Sequence, residues 1–159
     1  LKIRIHGDYH LGQVLFTGKD FIITDFEGEP ARSYSERRLK RSPMRDVAGM
    51  IRSFHYAAYG SLLLDDHIRK EDVGKLIPFV EQWYHYMSGF FMKAYLETTN
   101  GKGFVPRDKD DLEILLTTFL LEKALYELNY ELNNRPRWVA IPLRGIKDLM
   151  TREEAAMSQ

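Results

Sequence analysis

The sequence predicts a mainly α-helical domain with a small β-hairpin near its N-terminus, an α+β arrangement. Four stretches after residue 42 carry apolar residues at helical spacing, and two β-branched and aromatic runs flank Gly18. The chain of 159 residues is long enough to bury one core, and its sequence contains neither an internal repeat nor a linker between two cores. We therefore expect a single domain over residues 1–159.

The N-terminal quarter is expected to be extended and then irregular. Residues 2–5 alternate apolar and polar side chains, which predicts a short strand. Residues 14–17 and 21–24 are apolar runs separated by Gly18-Lys19-Asp20, a combination that predicts a β-hairpin. Residues 26–41 mix glycine, proline, serine and charge without a period, so this segment is expected to be an irregular connection.

Four helices are expected after this connection. The first is predicted from Ser42, as the N-cap, through Pro43 in the first turn to about residue 64. The next two are predicted at about 71–99 and 108–133, and the last from near residue 138 or 142 to about 150. The aromatic residues of the second helix are interpreted as core rather than as a stacking platform. They are Trp83, Tyr84, Tyr86, Phe90, Phe91 and Tyr95.

Composition argues against several classes of function. Lysine plus arginine number 23, as do aspartate plus glutamate, so the formal charge is zero and a polybasic nucleic-acid or membrane binder is not indicated. The absence of cysteine excludes disulfides and thiolate metal sites. No apolar run approaches the roughly 18 residues of a membrane span. We expect a cytoplasmic protein without nucleic-acid or membrane partners.

The clearest chemical pattern lies near the N-terminus. Asp8 and Gln13, in the run HGDYHLGQ, have the spacing of the kinase catalytic loop H-R-D-x-x-x-x-N, with Gln in place of Asn. Asp25 opens the run DFE, where kinases carry D-F-G, and the predicted hairpin brings it beside Gln13. The pattern predicts phosphoryl transfer from ATP, with Asp8 as the base and Gln13 and Asp25 as oxygen ligands of Mg²⁺.

Two other interpretations of this segment stay open. His6, Asp8 and His10 could ligate Zn²⁺ or Mn²⁺ in a hydrolase, with Asp25 or Glu27 completing the sphere. The glycines within the run indicate instead a turning loop, in which His6 and His10 have structural roles. A non-catalytic helical interaction module is the second alternative.

A polar and aromatic stripe is predicted on the third helix. Lys123, Tyr126, Glu127, Tyr130 and Glu131 recur at intervals of three and four, which places them along one side. Such a stripe can hydrogen-bond sugar hydroxyls and cover sugar C–H faces, although a solvated face with Lys–Glu pairs has the same pattern. Four leucines are expected to face the core from the opposite side. They are Leu121, Leu125, Leu128 and Leu132.

Three segments, residues 6–15, 25–30 and 123–131, together resemble bacterial maltokinases, including the kinase part of trehalose synthase fusions. The resemblance covers essentially the whole chain. It implies an aminoglycoside-phosphotransferase-like fold within the protein-kinase-like superfamily, of which this chain is the C-terminal lobe. It also implies phosphorylation of maltose to maltose 1-phosphate by ATP. Other acceptors of the same fold are aminoglycosides, choline and other sugars.

The resemblance also implies roles for single residues. Asp8 matches the catalytic base, Gln13 and Asp25 match the metal ligands, and Glu27 is expected to assist at the metal. Lys123, Tyr126 and Tyr130 match maltose-binding positions, with Glu127 and Glu131 beside them. The nucleotide-binding N-terminal lobe has no counterpart in this chain, so the chain alone is expected to be inactive. That lobe, and a fused trehalose synthase domain, are the expected partners.

Overall fold

The computed structural model describes residues 2–157, with side chains described to residue 151. It is mainly helical with one small antiparallel sheet, as predicted. Strands β1 (Val14–Phe16) and β2 (Phe21–Ile23) are followed by five helices. The helices are α1 (Tyr34–Arg37), α2 (Met44–Leu63), α3 (Lys70–Thr99), α4 (Lys109–Asn134) and α5 (Ala140–Met157). Within residues 2–157, no helix combines the length and apolar character needed to cross a bilayer.

The predicted hairpin is confirmed, and its register pairs Val14 with Ile23 and Phe16 with Phe21. Gly18 adopts φ +89° in the connecting turn, a conformation that glycine accepts without steric cost. The strand predicted at residues 2–5 is wrong. Only a single bridge forms there, in which Ile3 and Arg41 exchange backbone hydrogen bonds of 2.9 Å. No strand ladder extends from this bridge within the described residues.

The connection between β2 and α2 contains a short helix that the sequence prediction missed. Ser33 caps α1 by accepting the Glu36 backbone N–H, while the Glu36 carboxylate accepts the Ser33 backbone N–H at 3.0 Å. This reciprocal pair is a capping box, and its signature of Ser followed three residues later by Glu is visible in the sequence.

The first three long helices match the predicted ones to within about two residues, and α5 continues to Met157, beyond its predicted end at about residue 150. Pro43 rather than Ser42 occupies the N-cap position of α2, although the Ser42 hydroxyl still accepts the Met44 N–H at 3.3 Å. Asp108 caps α4 by accepting the backbone N–H groups of Asp110 and Asp111. A short 3₁₀ turn, Pro136–Trp138, separates α4 from α5.

Helix α2 forms the centre of the core and packs against α3, α4 and α5. More than half of its residues are buried, as expected for a helix that is covered on several sides. Near its start, Met44, Val47 and Ile51 cluster with Leu120 of α4. Near its end, Tyr59 packs on Ile141 of α5.

The core prediction for the α3 aromatics is right for half of the set. Tyr84, Phe91 and Tyr95 pack against the core clusters. Trp83, Tyr86 and Phe90 instead are 44%, 60% and 67% exposed, so the prediction is wrong for these three. Aromatic residues occur on several sides of α3, and their spacing alone does not identify the side that α2 covers.

The prediction for the α4 leucines is wrong for two of the four, since Leu121 and Leu128 are partly buried. Leu125 and Leu132 are 51% and 58% exposed, whereas Leu120, Ala124 and Glu131 form the buried side. The helix is therefore rotated relative to the prediction. Small Ala124 faces the core, and the polar stripe of α4 lies next to α2 rather than in open solvent.

Candidate functional site

The loop that carries Asp8 is held on the first turn of α2. The backbone N–H groups of His6 and Gly7 donate to the Asp46 carboxylate at 2.6 and 2.9 Å. Burial raises the pKa of Asp46, although these two hydrogen bonds favour its ionised form. Gly7 adopts φ +87°, so the loop turns at a position that a side chain would strain. Asp46 thus fixes the backbone that presents Asp8.

The His6 ring joins this loop to the end of β2. Its Nε2 lies 2.7 Å from the Thr24 carbonyl oxygen, and the Asp8 N–H donates to its Nδ1 at 3.3 Å. The ring also contacts the rings of Tyr9 and Phe26. Because Thr24 directly precedes Asp25, His6 sets the position of the Asp8 loop relative to Asp25.

The two predicted metal ligands, Gln13 and Asp25, are in direct contact. The Gln13 Nε2 donates to Asp25 Oδ2 at 2.9 Å, and the Thr24 N–H donates to the Gln13 carbonyl oxygen at 2.9 Å. Asp25 has φ 60°, the sole non-glycine residue of the described chain with positive φ. Strained conformations of this kind concentrate at functional sites.

The Gln13–Asp25 pair fits Mg²⁺. Rotating the Gln13 amide by 180° exchanges its nitrogen for an oxygen at nearly the same place, which gives two adjacent oxygen ligands. Mg²⁺ is usually held by one or two protein oxygens together with water and substrate phosphates. Glu27, the third expected ligand, is exposed, and the described structure gives it no hydrogen bond to Gln13 or Asp25.

The alternative of a hydrolase centre has little geometric support. Across the described residues, no group of three or more histidine, aspartate or glutamate side chains is arranged to hold a metal. Both ring nitrogens of His6 already make hydrogen bonds within the loop. His6 is therefore engaged in fixing the backbone.

The Asp8 carboxylate lies between the side chains of His10 and Lys123. Its Oδ2 is 3.6 Å from His10 Nε2, and its Oδ1 is 3.7 Å from Lys123 Nζ on α4. Burial raises the pKa of Asp8, but His10, Lys123 and His6 together outweigh burial, so the pKa lies below its ordinary value. Asp8 is therefore ionised at neutral pH, as a proton acceptor must be.

Lys123 connects the Asp8 loop to a further carboxylate. Its Nζ is 3.7 Å from Glu29 Oε2 as well as from Asp8, and it lies 5.0 Å from the centre of the Tyr126 ring. Burial, followed by the charge of Glu29, raises the pKa of Tyr126 to about 12. The predicted stripe of α4 and the Asp8 loop thus meet at Lys123.

The remaining carboxylates of the stripe are held by short contacts. Two nitrogens of Arg52, from α2, approach Glu127 Oε2 at 2.7 and 2.9 Å. Glu131 accepts hydrogen bonds from the Tyr56 hydroxyl at 3.1 Å and from Arg135 at 2.6 and 2.9 Å. Burial raises the pKa of Glu127 even though Arg52 opposes this effect. Both carboxylates are therefore committed to protein partners.

These elements enclose an open cavity of about 580 Å³, within the usual range for small-molecule sites. All five predicted stripe residues of α4 line it, together with Asp8 and His10. The sequence prediction missed several other lining or supporting residues. They are Glu29, Asp46, Arg52, Ser53, Tyr56 and Arg135. Glu29 lies beside the DFE run, and Arg135 directly follows the third predicted helix, where arginines are also common as solvated residues.

Comparison with known proteins finds kinases among the proteins to which this chain is similar. No protein-family model matches the sequence. The chain is 29% identical over 150 residues to the glucosamine kinase of Streptacidiphilus jiangxiensis, covering 93% of this chain and 32% of that protein. It is 31% identical over 148 residues to the glucosamine kinase of Mycolicibacterium smegmatis, covering 91% and 34%. The chain spans about a third of the length of the curated relatives it matches.

Solved structures of glucosamine kinase have the same fold. One, in complex with glucosamine, ADP and inorganic phosphate, superposes with a TM-score of 0.80 at 24% identity, covering 99% of this chain and 37% of that chain. A second crystal form gives 0.77 at 25% identity, covering 96% and 34%. The fold of this chain is therefore one found in kinases.

Proposed function

We propose that this chain is the acceptor-binding and metal-binding part of an ATP-dependent sugar kinase. The observation that carries the proposal is the position of Asp8, which lines the 580 Å³ cavity and also hydrogen-bonds through its backbone to His6. The Nε2 atom of the same His6 ring hydrogen-bonds to the carbonyl oxygen of Thr24, the residue before Asp25. A proton acceptor and a pair of metal ligands therefore belong to one connected loop system.

The chemistry assigned to these residues follows from phosphoryl transfer. Asp8 accepts the proton of the acceptor hydroxyl as that oxygen attacks the γ-phosphorus of ATP, and ADP leaves. Gln13 and Asp25 would hold Mg²⁺, which neutralises charge on the phosphates. Positioning and charge stabilisation supply most of the catalysis in this reaction class, so the chain needs few reacting groups.

For the acceptor we propose an amino sugar of the glucosamine class. The relatives named above are glucosamine kinases, and the cavity wall offers a carboxylate suited to an ammonium group. Glu29 hydrogen-bonds to Tyr126, but its cationic partner Lys123 is 3.7 Å away rather than in a short ion pair, so a ligand cation can compete with Lys123 for it. Glu127 and Glu131 are less available because arginines already bind them.

Maltose is the second candidate acceptor. The cavity volume of about 580 Å³ admits a disaccharide, and Tyr126 and Tyr130 on its wall can cover sugar rings. This candidate rests on the resemblance to maltokinases, and a partnership with trehalose synthase belongs to the same proposal. The nucleotide-binding lobe would then be supplied by protein outside these residues.

The test is a phosphate-transfer assay on the protein in its full natural length. Glucosamine, maltose, an aminoglycoside and choline are each offered with ATP and Mg²⁺, and Asp8→Asn is compared with wild type. We expect transfer to a sugar, reduced about 10²- to 10⁴-fold in Asp8→Asn. Asp66→Asn is the matched control, because Asp66 is an 89% exposed carboxylate remote from the cavity.

Two results would contradict the proposal. Transfer to choline without transfer to any sugar would overturn the acceptor class and leave the reaction class intact. Equal activity of Asp8→Asn and wild type would overturn the catalytic assignment. The metal assignment is tested separately by calorimetry, in which Mg²⁺-dependent nucleotide binding should be lost in Asp25→Ala.

A further inference from the structure

His10 has a defined orientation beside Asp8. It is the N-cap of the 3₁₀ turn Leu11–Gln13, and its Nδ1 accepts the Gly12 backbone N–H at 3.0 Å. Its other ring nitrogen, Nε2, lies 3.6 Å from Asp8 Oδ2. The ring thus touches the turn with one nitrogen and approaches the proposed base with the other.

The first of these contacts fixes where the ring hydrogen lies. A nitrogen that accepts a hydrogen bond carries no hydrogen, so neutral His10 has its hydrogen on Nε2. That hydrogen is directed to Asp8. The 3.6 Å separation is longer than a hydrogen bond of about 2.7–3.2 Å, and a small rotation of either side chain closes it. Catalytic hydrogen bonds often tighten in this way when ligand binds.

Gly12 contributes to this arrangement by leaving room for the ring. A Cβ atom at this position would lie 2.8 Å from His10 Cε1 and 3.0 Å from Nδ1. The 2.8 Å distance is shorter than real contacts of a Cβ atom, so the ring would have to shift. A side chain at position 12 would therefore push His10 away from its place.

The geometry points to His10 as a positioning residue for Asp8, which holds Oδ2 so that Oδ1 faces the acceptor hydroxyl in the cavity. This inference rests on the proposed function. His10 neither gives nor takes a proton: the acceptor proton moves to Asp8, the phosphoryl group moves to the acceptor oxygen, and Nε2–H is retained. The orienting partner of a catalytic histidine acts in a comparable way in serine hydrolases.

The other charged groups around Asp8 do not replace this contact. Lys123 approaches Oδ1 from α4 and is shared with Glu29. His6 approaches from the loop side, where its Nδ1 is occupied by the Asp8 N–H. Tyr126 also lies within the electrostatic reach of Asp8. Among these groups, His10 is the one whose donor approaches Oδ2.

Two substitutions separate the positioning role from the capping role. His10→Asn places an amide oxygen near the Nδ1 position, where it can cap the turn, but it is too short to reach Asp8. His10→Gln can bring an amide N–H to the Nε2 position, but it is a poor cap. We expect kcat to fall roughly 10- to 100-fold in His10→Asn with little change in KM, and to stay within about 5-fold of wild type in His10→Gln.

The pH dependence gives an independent readout. Since His10 lowers the pKa of Asp8, the acidic limb of the kcat/KM profile should move to higher pH in His10→Asn and not in His10→Gln. The Asp8 carboxyl ¹³C signal, followed by NMR titration of the same proteins, should move in the same direction. Gly12→Ala, which leaves His10 itself unchanged, should reproduce the effect of His10→Asn.

The outcomes are distinguishable. Equal loss of kcat in His10→Asn and His10→Gln, with an unchanged Asp8 titration, would overturn the positioning role and leave His10 as a cap only. If His10→Asn fails to fold, Gly12→Ala with an unchanged Asp8 titration would overturn it equally. If wild type transfers no phosphate but the Asp8 titration still responds to His10→Asn, the kinase proposal fails and the contact between His10 and Asp8 stands.

Discussion

The two sides of the cavity hold their charged groups in different ways. On the loop side, Asp8 and Glu29 are 3.6–3.7 Å from their partners His10 and Lys123. On the α4 side, Glu127 and Glu131 are 2.6–3.1 Å from theirs. The longer contacts to Lys123 leave Asp8 Oδ1 and the Glu29 carboxylate able to turn to a ligand, whereas the α4-side groups are fixed.

This difference separates two functions within one site. A short, buried ion pair cannot be broken without leaving a charge in a low-dielectric surrounding, so Glu127 and Glu131 define the shape of the wall. A contact of 3.6–3.7 Å is longer than a direct hydrogen bond and costs less to rearrange, so Asp8 and Glu29 can respond to substrate although their side chains are only 16% and 15% exposed. Changes on the α4 side should therefore affect folding, and changes on the loop side should affect chemistry.

The largest expected effect on stability is at the pair of Arg52 and Glu127. Arg52→Met leaves the Glu127 carboxylate, which is only 12% exposed, without its cation. We expect the free energy of unfolding to fall by about 3–5 kcal/mol, measured by urea denaturation. The double variant Arg52→Met/Glu127→Gln should recover much of this loss, because no unpaired charge remains.

An exposed ion pair provides the control for this prediction. Arg137 and Asp66 are 76% and 89% exposed at their side chains and 3.4 Å apart. Arg137→Met should change the free energy of unfolding by less than about 1 kcal/mol. A similar cost for Arg52→Met and Arg137→Met would contradict the description of the α4 side as fixed by burial.

The next largest expected effect is a pH dependence of stability that arises from His55, a buried residue of α2. His55 is 1% exposed and sits between Tyr59 and Tyr84. Burial, followed by the charges of Arg52 and Arg144, lowers its pKa to about 2. In the unfolded chain a histidine has a pKa near 6.5, so as the pH falls the unfolded state binds a proton that the folded state does not. Below pH 6.5 the free energy of unfolding therefore decreases by about 1.4 kcal/mol per pH unit.

The variant His55→Phe isolates this contribution. Its free energy of unfolding, minus that of wild type, should be constant above pH 6.5 and should rise steadily from pH 6.5 to 4.5. Subtracting the wild-type value is necessary because Asp46 and Glu127 have raised pKa values. These two groups increase stability as the pH falls, and they do so equally in both proteins. A constant difference over the whole range would show that His55 protonates freely in the folded state.

A smaller effect is expected where α2 supports the loop side. A Cβ at Gly49 would lie 2.7 Å from the Tyr9 carbonyl oxygen, so Gly49→Ala must displace the Asp8 loop. We expect a loss of about 1–3 kcal/mol in stability and a lower kcat. Gly74→Ala and Gly89→Ala on α3 have open space around the added atom and should stabilise by about 0.5–1 kcal/mol. Thermal unfolding of the three variants gives the comparison.

The smallest effect is expected on the outer side of α4. Leu125→Lys places a charge at a position that is 51% exposed, and it should change the unfolding free energy by no more than about 0.5 kcal/mol. The opposite side is closed: Ala124 is 0% exposed, so Ala124→Leu should cost about 1–3 kcal/mol by overpacking. If Leu125→Lys and Ala124→Leu lowered the free energy of unfolding equally, the orientation of α4 described above would be contradicted.

The sequence predicted the loop side better than the α4 side for a physical reason. Asp8, Gln13 and Asp25 lie within 18 positions, and a hairpin between them is a local structure that turn residues specify. On α4 the helix itself was predicted, but its rotation was not. The inward position of Glu131 depends on Tyr56, which is 75 positions away in sequence.

Local pattern alone thus determined the long helices, the hairpin and the spacing of Asp8, Gln13 and Asp25, because hydrogen bonding and side-chain period act between near neighbours. Tertiary packing decided which side of α3 and α4 is buried, and it supplied Arg52, Asp46 and Glu29 to the site. A carboxylate and the arginine that neutralises it can lie on distant segments, and only the packed structure brings their charges within a few ångströms of each other.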